Sequence, residues 1–232
     1  MSGFIDLVLP ASCAACGSGE WPICGRCAPE VAVASPPWCA RCGRPTEEPI
    51  PSCSDCPPPP IQAARAPFLY EGPIARALKA LKFSGWRALG HALAPAMVEV
   101  CDLDAEVVTW VPLAARRRAR RGFDQAEVLA RVVAPKLGVQ VRNLLRRVRE
   151  TPPQARRSAA ERRRGLRGAF IARASSTASI GSVLLVDDVL TTGATSAACA
   201  RALQMAGARR VVVLTLARSL PRPAPARCYG IP

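Results

Sequence analysis

A chain of 232 residues, half of them apolar, can hold one ordinary domain and a small one. It contains no apolar run of the roughly eighteen residues that a helical membrane span needs, which excludes membrane insertion by that route. The formal net charge of +15 sits almost wholly between Arg116 and Arg173, where eighteen Lys/Arg face four Asp/Glu, so the region is fitted to a phosphate-bearing partner.

The chain opens on a short apolar stretch, residues 4–9, interrupted by Asp6 and without a basic segment before it. A secretory signal is therefore not expected, and the chain reads as cytoplasmic. Eight of the eleven cysteines follow as four C-x-x-C pairs: Cys13/Cys16, Cys24/Cys27, Cys39/Cys42 and Cys53/Cys56. Two residues between thiolates suit two ligands of one tetrahedral zinc, and two pairs close a four-cysteine site, so eight ligands imply two zinc ions. Sequential pairing puts Cys13, Cys16, Cys24 and Cys27 on one ion and Cys39, Cys42, Cys53 and Cys56 on the other; interleaved pairing satisfies the same spacing. A disulfide framework is disfavoured without a secretion signal. Proline-rich and poor in apolar length, the segment needs metal to supply its folding free energy. All four positions of each site are filled by protein, which marks the zinc as structural. The run Pro57 to Pro60 reads as a stiff linker, giving a double zinc ribbon over residues 1–60 and a second domain over 61–232. Cys101, Cys199 and Cys228 stand alone as packed or idle thiols.

Beyond the prolines the pattern turns α/β. Phe68 to Tyr70 predicts a short strand, and Pro73 starts a helix with Ile74, Ala77, Leu78 and Leu81 at helical spacing. A helix over 88–100 is expected, kinked or interrupted at Pro95. Val107 to Val111 reads as a buried strand stopped by Pro112. Asp124 caps a helix that runs towards Gly138. Residues 139–141 and 169–172 predict short strands, the apolar run from Val183 a buried strand that delivers Asp187 and Asp188 to its carboxyl end, 195–206 a helix ended by Gly207, and 211–216 a last strand. Strands alternating with helices imply a mostly parallel sheet covered on both faces, with ligands at the strands' carboxyl ends.

Chemistry concentrates in VLLVDDVLTTGAT, residues 183–195. Asp187 and Asp188 are acceptor-only side chains at a strand end, placed to hold a sugar's hydroxyls. Thr191, Thr192, Gly193, Ala194 and Thr195 are small enough for backbone N–H groups to close around a phosphate at a helix N-terminus. A diol grip beside a phosphate cradle describes a ribose 5-phosphate pocket. No Walker lysine follows Gly193, and no G-x-G-x-x-G follows a predicted strand. Two loops flank this centre. The first, WVPLAARRRARRGFDQAE, carries five arginines, of which Arg116 and Arg121 can clamp a pyrophosphate. The second, from Glu150 to Phe170, has the length and polarity of a lid. His91, the only histidine, is not expected to act.

The 183–195 stretch resembles the phosphoribosyl pyrophosphate (PRPP) signature of type I phosphoribosyltransferases. The resemblance implies that Asp187 and Asp188 hold the ribose hydroxyls while Thr191 to Thr195 hold the 5′-phosphate. With the four C-x-x-C pairs, Lys82-Phe83-x-Gly85, Val111-Pro112 through Arg116 to Arg121-Gly122-Phe123-x-Gln125, Thr151-Pro152-x-Gln154 and Arg162 to Phe170, the chain resembles the ComF family. That family implies a type I phosphoribosyltransferase fold, a mostly parallel sheet with helices on both faces, behind a double zinc ribbon. It implies a pyrophosphate loop of Pro112, Leu113, Arg116 and Arg121, lid residues Thr151, Gln154 and Arg162, and Mg²⁺ bound with PRPP. The family's link to DNA uptake implies single-stranded DNA as a partner through the 116–173 region, with an uptake helicase as a further one. Asp124 and Gly165 depart from the family pattern, where asparagine is common; the first adds a charge near the pyrophosphate loop.

Overall fold

The computed structural model describes residues 12–83, 87–149, 165, 166, 168–173 and 180–220. The N-terminal apolar stretch, Gly85, the lid residues Thr151, Gln154 and Arg162, and Cys228 lie outside them. In chain order the part of the molecule that follows residue 62 comprises β1 (Ala63–Arg65), β2 (Phe68–Leu69), α1 (Gly72–Phe83), α2 (Arg87–Leu93), α3 (Pro95–Glu99), β3 (Val107–Trp110), α4 (Ala115–Arg121) and α5 (Gln125–Lys136). Then come β4 (Gln140–Val141), β5 (Leu145–Arg147), β6 (Phe170–Ala172), β7 (Ser182–Leu190), α6 (Ala194–Met205) and β8 (Arg210–Arg218).

The main sheet runs β1-β8-β7-β3-β4, with β2 extending the β1 edge alongside β8. Every pairing in it is parallel. Its register follows from the hydrophobic run at the centre. Val183 and Leu185 point to the face covered by α6, while Leu184 and Val186 point to the face covered by α1, α2, α3 and α5. All four are fully buried. Alternation of faces along a strand requires that a central strand with cover on both sides be apolar throughout, as this one is. Each such side chain contributes about 1.5–3 kcal/mol by leaving water.

Sequence and structure agree on most elements, and the differences have physical causes. The helix expected over 88–100 is two helices parted at Pro95, where the proline sits at the first position of α3. The arginine loop after β3 is largely a helix, α4, with no buried residue. Arginine is a good helix former, and Gly122 ends the helix in the left-handed conformation at φ 77°. β1 and β5 add to the expected strands; both are three residues long, too short for a period to register.

The cysteine-rich segment is seated on this sheet. Val33 bridges Phe68, Ala34 N–H donates to Pro67 O, and Leu69 N–H donates to Ala32 O. Residues 57–60 do not stand off as a spacer. Pro57 is buried, and the Pro59 carbonyl accepts from Arg201 of α6.

Candidate functional site

The eight thiols assemble as two groups, Cys13, Cys16, Cys24, Cys27 and Cys39, Cys42, Cys53, Cys56, the Sγ atoms of each lying within 4.8 Å of one another. This is the sequential grouping. A tetrahedral ion with Zn–S bonds of about 2.3 Å sets S···S edges of about 3.8 Å. The observed Cys16–Cys24 separation is 3.7 Å, and Cys39–Cys56, Cys42–Cys53 and Cys53–Cys56 are 3.6, 3.4 and 3.8 Å. The donor set therefore fits zinc in kind, number and spacing. Within the first group the Ser18 side chain and backbone, and then Arg26, hold the Cys16 thiol down at about 5, while burial and the neighbouring thiols push Cys27 up to about 12. Cys199 is buried in α6, which pushes its thiol well up, and Cys101 is half-buried; both are packed, as expected.

The second centre follows from topology. From β3 the chain crosses over α5 to β4 on one side, and the later strands β7 and β8 lie on the other side. The order thus reverses between β3 and β7, the place where parallel α/β sheets open a crevice at their carboxyl ends. Pro112 and Leu113 leave β3 there. Asp187 and Asp188 lie on β7, paired with β8 at Asp187↔Thr215. The strand continues through them to Leu190, so both acids are held by sheet and not by a loop. Asp187 is half-buried and Asp188 buried, and the Asp188 N–H donates to Asp187 Oδ1 at 2.8 Å.

Thr191 and Thr192 form the turn after β7, and Gly193 at φ 68° starts α6 with no side chain capping it. The first-turn N–H groups of any helix lack intrahelical partners, and with the macrodipole they present positive charge. Here they face the same strand end as the two acids. His91 is exposed on α2.

Two buried polar residues tie the pieces together: Asp124, the expected helix cap, and Gln125. Gln125, the first residue of α5, accepts from Arg121 at 3.1 Å and lies 3.5 Å from Asp188 Oδ2 through its amide nitrogen. One side chain thus links α4 to β7. Burial pulls the Arg121 guanidinium down, while Asp188 opposite favours its charge. Asp124 Oδ2 accepts from Leu113 N–H at 2.7 Å and Oδ1 from Ala126 N–H at 3.1 Å. Its charge is therefore turned onto backbone donors rather than added to the crevice. Burial raises its pKa against those donors. A carboxylate can serve both N–H groups where an amide oxygen offers one acceptor atom. Asp124→Ala should cost about 1–3 kcal/mol, the sum of a lost cap and a lost loop anchor, measurable as a lower denaturant midpoint.

Pro112, Leu113, Arg116 and Arg121 lie on the segment that leaves β3, and Arg121 is tied to Asp188 through Gln125. No described helix is long and apolar enough to cross a membrane.

The chain is similar to known proteins along most of its length. The double zinc ribbon domain family matches residues 4–57. The chain is 33% identical over 230 residues to the DNA utilization protein YhgH of Salmonella typhimurium, covering 92% of this chain and 100% of that one. It is 28% identical over 210 residues to Competence protein F of Haemophilus influenzae, with 85% and 90% covered. Among solved structures it is similar to the glutamine PRPP amidotransferase from B. subtilis, at 25% identity and a TM-score of 0.40, over 55% of this chain. That match spans about a quarter of the enzyme's length, 26%. Identity at this level along the whole length of the DNA utilization proteins means that the chain belongs to the ComF family, here a double zinc ribbon joined to a parallel α/β sheet.

Proposed function

We propose that the crevice between β3 and β7 binds PRPP with Mg²⁺ and that the chain is a phosphoribosyltransferase-like protein serving DNA utilization inside the cell. One observation carries the reading: two adjacent strand-held acids and the uncapped start of a twelve-residue helix open onto the same strand end. Asp187 and Asp188 accept from the ribose 2′- and 3′-hydroxyls, and the N–H groups from Thr191 to Thr195 hold the 5′-phosphate. Anchoring that non-reacting phosphate fixes the position of the reacting carbon. Arg121, held by Gln125, and Arg116 stabilise the departing pyrophosphate. Mg²⁺ brought in with PRPP would share the charge of the departing group. In transfer, the C1–O bond to pyrophosphate breaks and a C1–N bond to an acceptor forms.

The test is calorimetric titration of the zinc-loaded protein with PRPP and Mg²⁺, beside an Asp187→Asn/Asp188→Asn variant. Saturable binding is expected in the wild type, weakened by about a hundredfold or more in the variant, since hydrogen bonds to charged acceptors carry about 1.5–3 kcal/mol each. A folded wild type that takes up no PRPP sinks the proposal.

A second reading has its own support. α4 carries five arginines and buries none of them, which favours single-stranded DNA as a backbone-held partner beside the crevice. The ribbon then serves as scaffold, with a DNA-uptake helicase as the partner it recruits.

A further inference from the structure

The two cysteine clusters are chemically alike but differently placed. The first docks against α1, where Arg76 Nε donates to Ala15 O at 3.0 Å and Ala14 joins the core under that helix. The second is built into the carboxyl edge of the sheet. Pro57, which directly follows the ligand Cys56, lies against Gly193: a Cβ added to that glycine would stand 2.7 Å from Pro57 Cβ and 3.2 Å from Pro57 Cα and Pro58 Cδ. Arg41, beside Cys42, donates to the carbonyls of Pro57 and Ile61 at 3.1 Å each and so fixes where the proline sits.

From the other side, Arg218 at the end of β8 reaches into the cluster. It is 2% exposed, donates to the Cys42 carbonyl, and lies 3.3 Å from Cys42 Sγ. Its strand register pairs it with Leu190, the residue before the phosphate turn, and Ser219 N–H donates to Leu190 O. A buried guanidinium is costly without a compensating anion. No carboxylate pairs with Arg218 among the described residues, and a zinc ion held by four thiolates is anionic overall.

We propose that the second cluster, Cys39, Cys42, Cys53 and Cys56, is a positioning element of the phosphate turn. Its zinc-thiolate charge is compensated by Arg218 from β8, and its loaded conformation holds Pro57 against Gly193, which fixes the N-terminus of α6. The first cluster has no such role. The ribbon is thereby part of the crevice wall and not only a scaffold. For its effect on ligand affinity this rests on the PRPP reading; for the conformation of the turn it does not.

The experiment compares full-length variants Cys13→Ser/Cys16→Ser and Cys53→Ser/Cys56→Ser, together with Arg218→Met and Pro57→Gly, which keep all eight ligands. Zinc content is read by native mass spectrometry, amide exchange by hydrogen–deuterium exchange across residues 190–197, and PRPP affinity by calorimetry. Stripping the first site should leave one zinc and unchanged exchange in that window. Stripping the second should accelerate exchange there by about tenfold or more, and Arg218→Met should weaken zinc retention at that site by about 10–100-fold, the usual cost of removing a group that orients a metal ligand. Pro57→Gly should keep both zincs yet speed exchange at Gly193 to Ala197. Equal exchange in the two stripped variants, or a turn unchanged by Pro57→Gly, overturns the proposal. Exchange that divides as stated in a protein that ignores PRPP leaves the coupling standing and removes only the PRPP reading.

Discussion

Gly193→Ala is expected to lower stability by about 2–5 kcal/mol and to weaken ligand capture at the crevice together. Two costs add. The residue sits at φ 68°, in the left-handed region, where a side chain costs about 1–2 kcal/mol. Its new methyl then meets Pro57 at 2.7 Å, with the Pro57 Cα close behind, so relief requires backbone to move. Overpacking of that kind costs about 1–3 kcal/mol. Against a total of about 5–15 kcal/mol for a typical domain, the loss is large. The melting temperature should fall by about 10 °C, at roughly 2–4 °C per kcal/mol for a chain of this size. Gly138→Ala is the control. It shares the left-handed backbone, at φ 67°, but has nothing within 4 Å of the added carbon, so it should show the conformational cost alone. A Gly193 variant no worse than the Gly138 variant would mean that the Pro57 contact is soft. The thermal scan should be paired with PRPP titration, where the Gly193 variant alone should lose affinity.

How much of this is legible in the chain depends on whether a residue's role is local. The apolar run ahead of Asp187 and Asp188 announces a central strand because strand burial and strand direction are encoded within a few consecutive residues. The C-x-x-C spacing announces ligand pairs for the same reason, and thiol proximity then selects the sequential grouping over the interleaved one. α4 reads as a loop because helix prediction leans on an apolar stripe, and Ala115–Arg121 has none to show; propensity and a closing glycine are the available signals. Gln125 and Arg218 are unreadable in a stronger sense. Gln125 meets Asp188 across 63 positions and Arg218 meets Cys42 across 176, so their roles exist only after the sheet has formed. Even the departure at Asp124 needs the fold: what looks like an unwanted charge beside a phosphate site is spent on the N–H groups of Leu113 and Ala126.

Replacing Arg116, Arg118 and Arg120 with glutamine should flatten the salt dependence of single-stranded DNA binding while leaving the fold intact. The three side chains are exposed on α4. Arg118 also meets Glu127 at 3.2 Å, a surface pair of little worth to stability, so its loss should not register in thermal melts. Each arginine that neutralises a phosphate contributes about 0.7 to the slope of log affinity against log salt on a single strand, so the triple variant should lose about 2 from that slope. Between about 50 and 200 mM salt, wild-type affinity should then fall roughly twentyfold further than the variant's, readable by fluorescence anisotropy with a labelled oligonucleotide. An unchanged slope would place DNA elsewhere on the molecule or nowhere. The same titration on Asp187→Asn/Asp188→Asn separates the two readings of the crevice. If DNA lies only along α4, that variant should keep the wild-type slope and affinity, and PRPP should not compete with DNA. If a DNA phosphate enters the α6 N-terminus, PRPP should displace the oligonucleotide, and the Gly193→Ala variant, which disturbs that terminus, should lose both ligands at once.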